Sequence, residues 1–500
     1  MECLVNAREM KECDKNTIEY YGIPSAVLME RAALAIFHEI QSRFDPDCGK
    51  ILIVCGAGNN GGDGFATARI LHLAGYEAEY MFPVEETKMT PETKAQYQII
   101  KKYIVPECRN FVQNRYAVIV DALFGIGLSR KVEGELGTLL DHLNRSQAFK
   151  IAADIASGIS ADTGQLLGTA FRADLTVTFA FAKVGQLLYP GAAFTGELVV
   201  ADIGIDKYGF LGNESSGCYL KNDSAKQLLP VRKAYSNKGT YGKTLVIAGS
   251  LDMAGAAYFA AKAAYYSGCG LVRILTAKEN RDILLTRLGE AVLKTYDAQA
   301  EHLTGMMDLL DESMNWADAV LIGPGIGISP AAKMLVAKVL QYTEKKIVFD
   351  ADALNILARN MVLLKENSGC RVVTPHLGEM GRLTGRSVGE IQADLIGTAK
   401  NFAKEYQTVC VLKDARTVIG LSDGRFFVNT TGNCGMATGG SGDVLAGFLT
   451  GFLAQGLSLD DAAMLAVYLH GAAGDLAAQE IGVRGMLASD ILEKLPEVIR

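Results

Sequence analysis

An α/β chain of two domains, each a parallel sheet between helices, is predicted by three observations. The chain has 500 residues, 49% of them hydrophobic and only 21% charged, enough for more than one packed core. Short apolar runs alternate with amphipathic stretches throughout, punctuated by 53 glycines, as stacked βα units require. Between about residues 205 and 240 this periodicity lapses into a polar run, Tyr208 to Gly217, and a stretch containing Pro230, which predicts domains at 1–217 and 218–500.

In the first domain Ile51-Leu52-Ile53-Val54, Ala117-Val118-Ile119-Val120 and Ile151-Ala152-Ala153 read as buried parallel strands. Each ends in polar or glycine-rich residues: 56–64, Asp121, and Asp154 with Ser157. That carboxyl edge is where open α/β sheets bind ligands. A second series, Thr244 to Ala248, Ala319 to Ile322, Lys346 to Phe349 and Val409 to Leu412, predicts a second, larger sheet. The halves share neither period nor motif order, so they are not repeats.

Composition narrows the class of function. Lys plus Arg number 49 against 56 Asp plus Glu, a formal charge of −7 without a dense basic block, which argues against nucleic acid. The ten cysteines form no CxxC pair or zinc-spaced cluster, and the six histidines are dispersed. Acids and an arginine interrupt the first nine residues, and no apolar run reaches spanning length. A cytoplasmic enzyme without membrane contact is expected, acting on small molecules as a homo-oligomer.

The segment from Gly56 to Gly64 formally contains GxGxxG at Gly56, Gly58 and Gly61, followed by a helix predicted to begin near Phe65. Such glycines let backbone N–H groups approach a pyrophosphate, and Glu77 and Glu79 stand at the spacing of a ribose-binding acid. The same glycines also serve simple tight turns. Two amides and a carboxylate inside the loop are less ordinary. Asn60, Asp121 and Ser157 are hard oxygen donors that suit an alkali or alkaline-earth cation if they converge, and serve equally as local caps if they do not.

The segments GAGNNGGDG, VDALFGIGLSR and ADIASGI, in that order, resemble three motifs of the NAD(P)H-hydrate epimerase domain across most of residues 1 to 215. The resemblance implies a Rossmann-like αβα domain in which Asn59, Asn60, Gly61, Gly62 and Asp63 bind substrate. It further implies that Gly125, Ile126, Gly127, Leu128, Ser129, Arg130 and Lys131 form a covering loop. Asp154 would touch substrate and serve as acid/base, while Asn60, Asp121 and Ser157 would hold potassium. A non-catalytic nucleotide-binding domain is the rival reading.

In the second domain Thr438-Gly439-Gly440-Ser441-Gly442-Asp443 runs into an apolar helix, whose free N–H groups form an anion hole. Asp443 there either takes a proton from a hydroxyl or simply caps the helix. Lys413 ends an apolar strand with Thr417 four residues on, placed for a nucleotide phosphate or ribose, and Gly323 to Gly327 and Thr374 to Glu379 follow other strands. Together AGSLDMAGAA, IGPGIG, VFDADALNIL, TPHLGEMGRL and TGGSGDVLAG resemble the ribokinase-like NAD(P)H-hydrate dehydratase domain over about residues 225 to 500.

This second resemblance implies substrate contacts from Ala256, Gly325, His376 and Asp443. It assigns nucleotide to Lys413, Asp414, Ala415, Arg416, Thr417, Asn433, Gly439, Gly440, Ser441 and Gly442. Two departures stand out: Lys413 is followed by Asp414 where glycine is expected, and Leu377 replaces a proline after the histidine. The implied reaction is phosphorylation of the substrate hydroxyl with Asp443 as base, then loss of phosphate, with ADP as co-substrate and magnesium bridging its phosphates. A small-molecule kinase acting on a vitamin or sugar alcohol shares the chemistry before elimination, and a regulatory nucleotide sensor is a third possibility.

Overall fold

The computed structural model describes residues 1–213, 215–299 and 303–500, and the chain folds as two compact units, Glu2–Cys218 and Tyr219–Arg500. Glu214, inside the polar run expected between domains, lies outside the described residues. Among the described residues no helix is long and apolar enough to cross a membrane. None of the ten cysteines is in a disulfide.

In the first unit a six-stranded sheet runs in the order Ala78–Met81, Lys50–Cys55, Tyr116–Ala122, Phe149–Ala153, Leu175–Phe179 and Glu197–Ala201, with every pair parallel. Alternate side chains of a strand point to opposite faces, and here both faces are apolar. Ile51 and Ile53 join Leu28, Ile36 and Phe65 in one core, while Leu52 and Val54 join Ile119, Leu140 and Leu143 in another. That explains the unbroken hydrophobic run of this strand and gives the expected three layers. Burying each such side chain contributes roughly 1.5–3 kcal/mol, so the two faces together fix its position in the sheet. The chain visits Ala78–Met81 on one side and returns to Tyr116–Ala122 on the other, which opens a crevice at the carboxyl ends of the central strands.

The helix expected near Phe65 begins earlier, at Asn59, and runs to Leu73, so the Asn-Asn-Gly-Gly-Asp segment forms its first turns rather than a loop. The glycines permit this by close approach. A Cβ at Gly61 would strike the Gly56 carbonyl; one at Gly62 would come within 2.6 Å of Met29 Cε and one at Gly64 within 2.7 Å of Ala122 Cβ. Glu77 and Glu79 fall at the opposite, amino end of the sheet. Glu79 is buried and paired there with Lys50, Arg115 and the Tyr116 hydroxyl, so it cannot meet a ribose at the crevice.

The second unit orders its strands Val292–Tyr296, Leu271–Ala277, Lys243–Ile247, Ala319–Ile322, Lys346–Phe349, Arg371–Val373, Val409–Leu412, Val418–Gly420 and Phe426–Val428. The first seven are parallel and the last two antiparallel. Strand order reverses between Lys243–Ile247 and Ala319–Ile322, and there the Gly249 N–H donates to the Pro324 carbonyl at 2.8 Å. The helix Ser441–Ala454 is buried along nearly its whole length against Ala254–Tyr266. A Cβ at Gly447 or Gly451 would strike the Ala260 carbonyl or the Ser267 hydroxyl, so glycine sets how closely the helices cross. This packing fixes the amino end that carries Asp443.

Candidate active sites

At the first unit's crevice lies a cavity of about 630 Å³, large enough for a nucleotide-sized ligand. Asn59, Asn60 and Asp63 from the helix line it, with the loop from Gly125 to Arg130 and Asp154 from the next strand ends. Gly61 and Gly62 are buried beneath the wall and act through the close packing described above. Lys131 is exposed and does not line the cavity. Amino-terminal helices add Lys11, Asp14, Leu28 and Met29.

Asp154 follows the strand Phe149–Ala153 with φ of +64°, a left-handed conformation uncommon for a residue with a side chain. Its main chain is held on both sides: its N–H donates to the Val177 carbonyl at 2.8 Å, and its carbonyl accepts from Gln186 Nε2 at 2.6 Å. The side chain pairs with the fully buried Lys183. Burial lowers the pKa of this ammonium, with Asp154 acting in the opposite direction. Burial, reinforced by the charge of Asp154, pushes the Asp63 carboxyl well above the usual range and raises that of Asp14 as well. The cavity therefore joins an ion-paired carboxylate to neighbours that resist ionisation.

Behind the wall, Asp121 accepts from Ser157 Oγ at 2.7 Å, the Ser157 N–H at 2.8 Å and the Leu123 N–H at 3.2 Å. Burial pushes this carboxyl up to about 6, the hydrogen bonds acting against it. Ser157 Oγ in turn accepts from the Phe124 N–H at 2.9 Å, which ties the covering loop to the same group. Both side-chain polar atoms of Asn60 are buried without a hydrogen-bond partner. Buried amides without partners are costly and uncommon.

In the second unit Gly440, with φ of +92°, is the residue before the helix Ser441–Ala454, so Asp443 lies in the first turn and does not cap it. Burial pushes its carboxyl up to about 7, with Asp350 adding to the rise and Lys413 opposing it. Asp350 is buried at the end of Lys346–Phe349 and accepts from Thr374 Oγ1 at 2.6 Å and Lys413 Nζ at 2.9 Å. Burial works against the Lys413 charge, yet Asp350, Glu379 and Asp443 leave its pKa raised. Its ammonium lies 3.3 Å from where a Cβ on Gly442 would stand, directly under the glycine turn. A carboxylate poised near neutrality, an anchored ammonium and a glycine-lined helix start are what phosphoryl transfer to a hydroxyl requires.

Comparison with known proteins settles the family. Residues 244–497 match the NAD(P)H-hydrate dehydratase family, and residues 25–185 match the YjeF-related protein N-terminus. The bifunctional NAD(P)H-hydrate repair enzyme of Moorella thermoacetica is 39% identical across 99% of this chain and 96% of its own length. That of Escherichia coli is 38% identical across 99% and 93%. This chain belongs to the bifunctional NAD(P)H-hydrate repair enzymes. A solved ribokinase-like superfamily protein from Enterococcus faecalis, 29% identical, covers 57% of this chain and 95% of its own with a TM-score of 0.51, in keeping with the ribokinase-like second domain.

In this repair enzyme Ala256 and Gly325 adjoin, a Cβ on the glycine falling 3.0 Å from that of Ala256. His376 and Lys413 sit side by side on neighbouring strand ends, joined by a parallel bridge. The His376 side chain caps the helix Leu377–Thr384, Nδ1 accepting from the Gly378 N–H at 3.0 Å, so Leu377 occupies its first position without disturbing the turn. Arg416 donates to the Thr430 carbonyl at 2.5 Å and the Thr417 carbonyl accepts from the Asn429 N–H at 2.9 Å. Asn433 spends both side-chain donors on Asp475 and Gly474, holding its own turn.

Sequence reasoning passed over Lys183, Asp14, Asp350 and His470. Asp350 had a readable signal, because it ends a strand as Asp121 does. Lys183 stands alone in an apolar stretch, which is itself unusual. His470 lies buried and bonded to the Ser441 main chain, where burial pulls its imidazole down to about 4 and keeps it neutral.

Proposed function

We propose that this chain restores damaged nicotinamide cofactors in two steps, interconverting the R and S hydrates of NADH and NADPH in the first unit and dehydrating the S form in the second. The observation that carries the reading is Asp443, a carboxylate tuned near neutrality at a glycine-lined helix start. In the dehydration, the terminal phosphoryl of ADP moves to the substrate hydroxyl while Asp443 takes the hydroxyl proton, leaving AMP. Departure of phosphate, with loss of a proton from the adjacent ring carbon, regenerates the dihydronicotinamide. Lys413, the N–H groups of Gly439, Gly440 and Gly442 and the Ser441 hydroxyl receive the phosphates, and Ala256, Gly325 and His376 bound the substrate.

In the epimerisation Asp154 exchanges a proton with the ring's hydroxyl as it leaves and returns on either face. Asn59, Asn60, Asp63 and the loop from Gly125 to Lys131 position the substrate. The unpartnered Asn60 amide, packed against Gly125 of the loop that Ser157 holds through the Phe124 N–H, would hold a potassium ion together with Asp121 and Ser157, which would offset the buried charge of Asp121 and steady that loop. Among the described residues no three carboxylate, histidine or cysteine side chains converge on a point, so magnesium fits as a companion of the nucleotide's phosphates. Ten cysteines outside any disulfide accord with work in the cytoplasm.

The test is to incubate the chain with mixed hydrate epimers and follow the return of dihydronicotinamide absorbance. Complete recovery with ADP and none without it is expected. Accumulation of a stable phosphorylated alcohol would instead establish a small-molecule kinase.

A further inference from the structure

Lys183 makes an unusual set of contacts for a lysine. It is fully buried, and its ammonium bonds Asp154 Oδ1, Thr178 Oγ1 at 2.8 Å and the Phe179 carbonyl at 2.9 Å. An ammonium has three N–H donors, and here each finds an acceptor inside the protein. It has none left for a ligand, although it borders the cavity.

Its effect falls on Asp154 unevenly. Thr178 Oγ1 and the Phe179 N–H, each at 3.2 Å, also donate to Oδ1. Among the described residues Oδ2 accepts no hydrogen bond, while the residue itself lines the cavity. One oxygen is thus clamped by three donors and the other left open, which fixes the carboxylate plane and selects the atom that faces a ligand.

We infer that Lys183 is the positioning residue of the epimerisation site, clamping Asp154 through Oδ1 so that Oδ2 alone exchanges protons with the substrate. The inference rests on the epimerase reading of Asp154. The other titratable groups around that carboxylate are Asp14 and Asp63, with Lys11, Lys88, Glu92 and Arg130 farther round the cavity. None of them donates a hydrogen bond to Asp154. Loss of the ammonium therefore removes the one cation bonded to that carboxylate.

The experiment uses the full chain, measuring epimer interconversion across pH, with dehydration of the S hydrate by the other unit as an internal measure of intact protein. Asp154→Asn comes first: unchanged interconversion would overturn the epimerase reading itself. Given loss in that variant, Lys183→Met is expected to lower kcat about 100-fold with KM within about threefold, and to move the acid limb of the pH–rate profile to higher pH. Thr178→Val, which keeps the shape and removes a shared partner, is expected to act in the same direction by about fivefold, and serves if Lys183→Met does not fold. Full activity, or a loss with the wild-type pH profile retained in both variants, would overturn the positioning role.

Discussion

The two units solve one problem, a carboxylate that must handle a proton beside a bound nucleotide, by opposite electrostatic means. In the first, Asp154 is bonded to a buried ammonium that, among the described residues, no other carboxylate shares. In the second, Asp443 is half-buried near Asp350, and the Lys413 cation is shared with that neighbour, so its carboxyl rises to about 7. An ion pair fixes the direction of a carboxylate, whereas burial beside a like charge leaves a group that changes state near neutral pH. The comparison teaches that placing an aspartate at a strand or helix end does not settle its role, because the nearest cation and its other obligations do.

The comparison breaks most readily on the two carboxylates themselves. Asp443→Ala is expected to reduce ADP-dependent dehydration by about 1000-fold or more while epimer interconversion continues. Epimer-resolved chromatography with and without ADP checks both halves in one sample. Asp154→Asn should show the reverse, with dehydration proceeding until the usable epimer is exhausted and then stopping. Loss of both activities in either variant would mean that the sites are not independent in the way described.

A finer test concerns the shared cation. Asp350→Asn removes the like charge that raises Asp443 and frees Lys413 from its partner, so the acid limb of dehydration should move to lower pH by about half a unit to one unit. The rate at its plateau should fall about tenfold as the lysine loses its anchor. A limb moving upward would show that Asp350 acts mainly by holding the ammonium in place. At the smallest scale, Gly61→Ala should cost the first unit about 1–3 kcal/mol, read as a lower thermal midpoint, because the added methyl meets the Gly56 carbonyl.

The sequence reveals the layers readily, since Ile51 to Val54 alternate between two apolar faces and so form a continuous hydrophobic run. It also locates both glycine segments and the aspartates at their ends. It misplaces the start of the helix at Asn59, because glycines read as loop formers when the reason for them is close approach to Gly56, Met29 and Ala122. The partners that tune each carboxylate are hidden by distance along the chain. Lys183 is 29 residues from Asp154, and Lys413 is 63 from Asp350, and no local pattern joins them. Asp14 reaches the cavity from an amino-terminal helix that bears no motif at all.

Dehydration turns on Asp443 as its base, and the pH dependence of a single turnover with saturating ADP and S hydrate tests that role most directly. The base form of a carboxyl with a pKa raised to about 7 is present above that value and lost below it, so the rate should climb about tenfold per unit up to about pH 7 and then level. A rate constant unchanged between about pH 5.5 and 8, with chemistry still limiting, would contradict it.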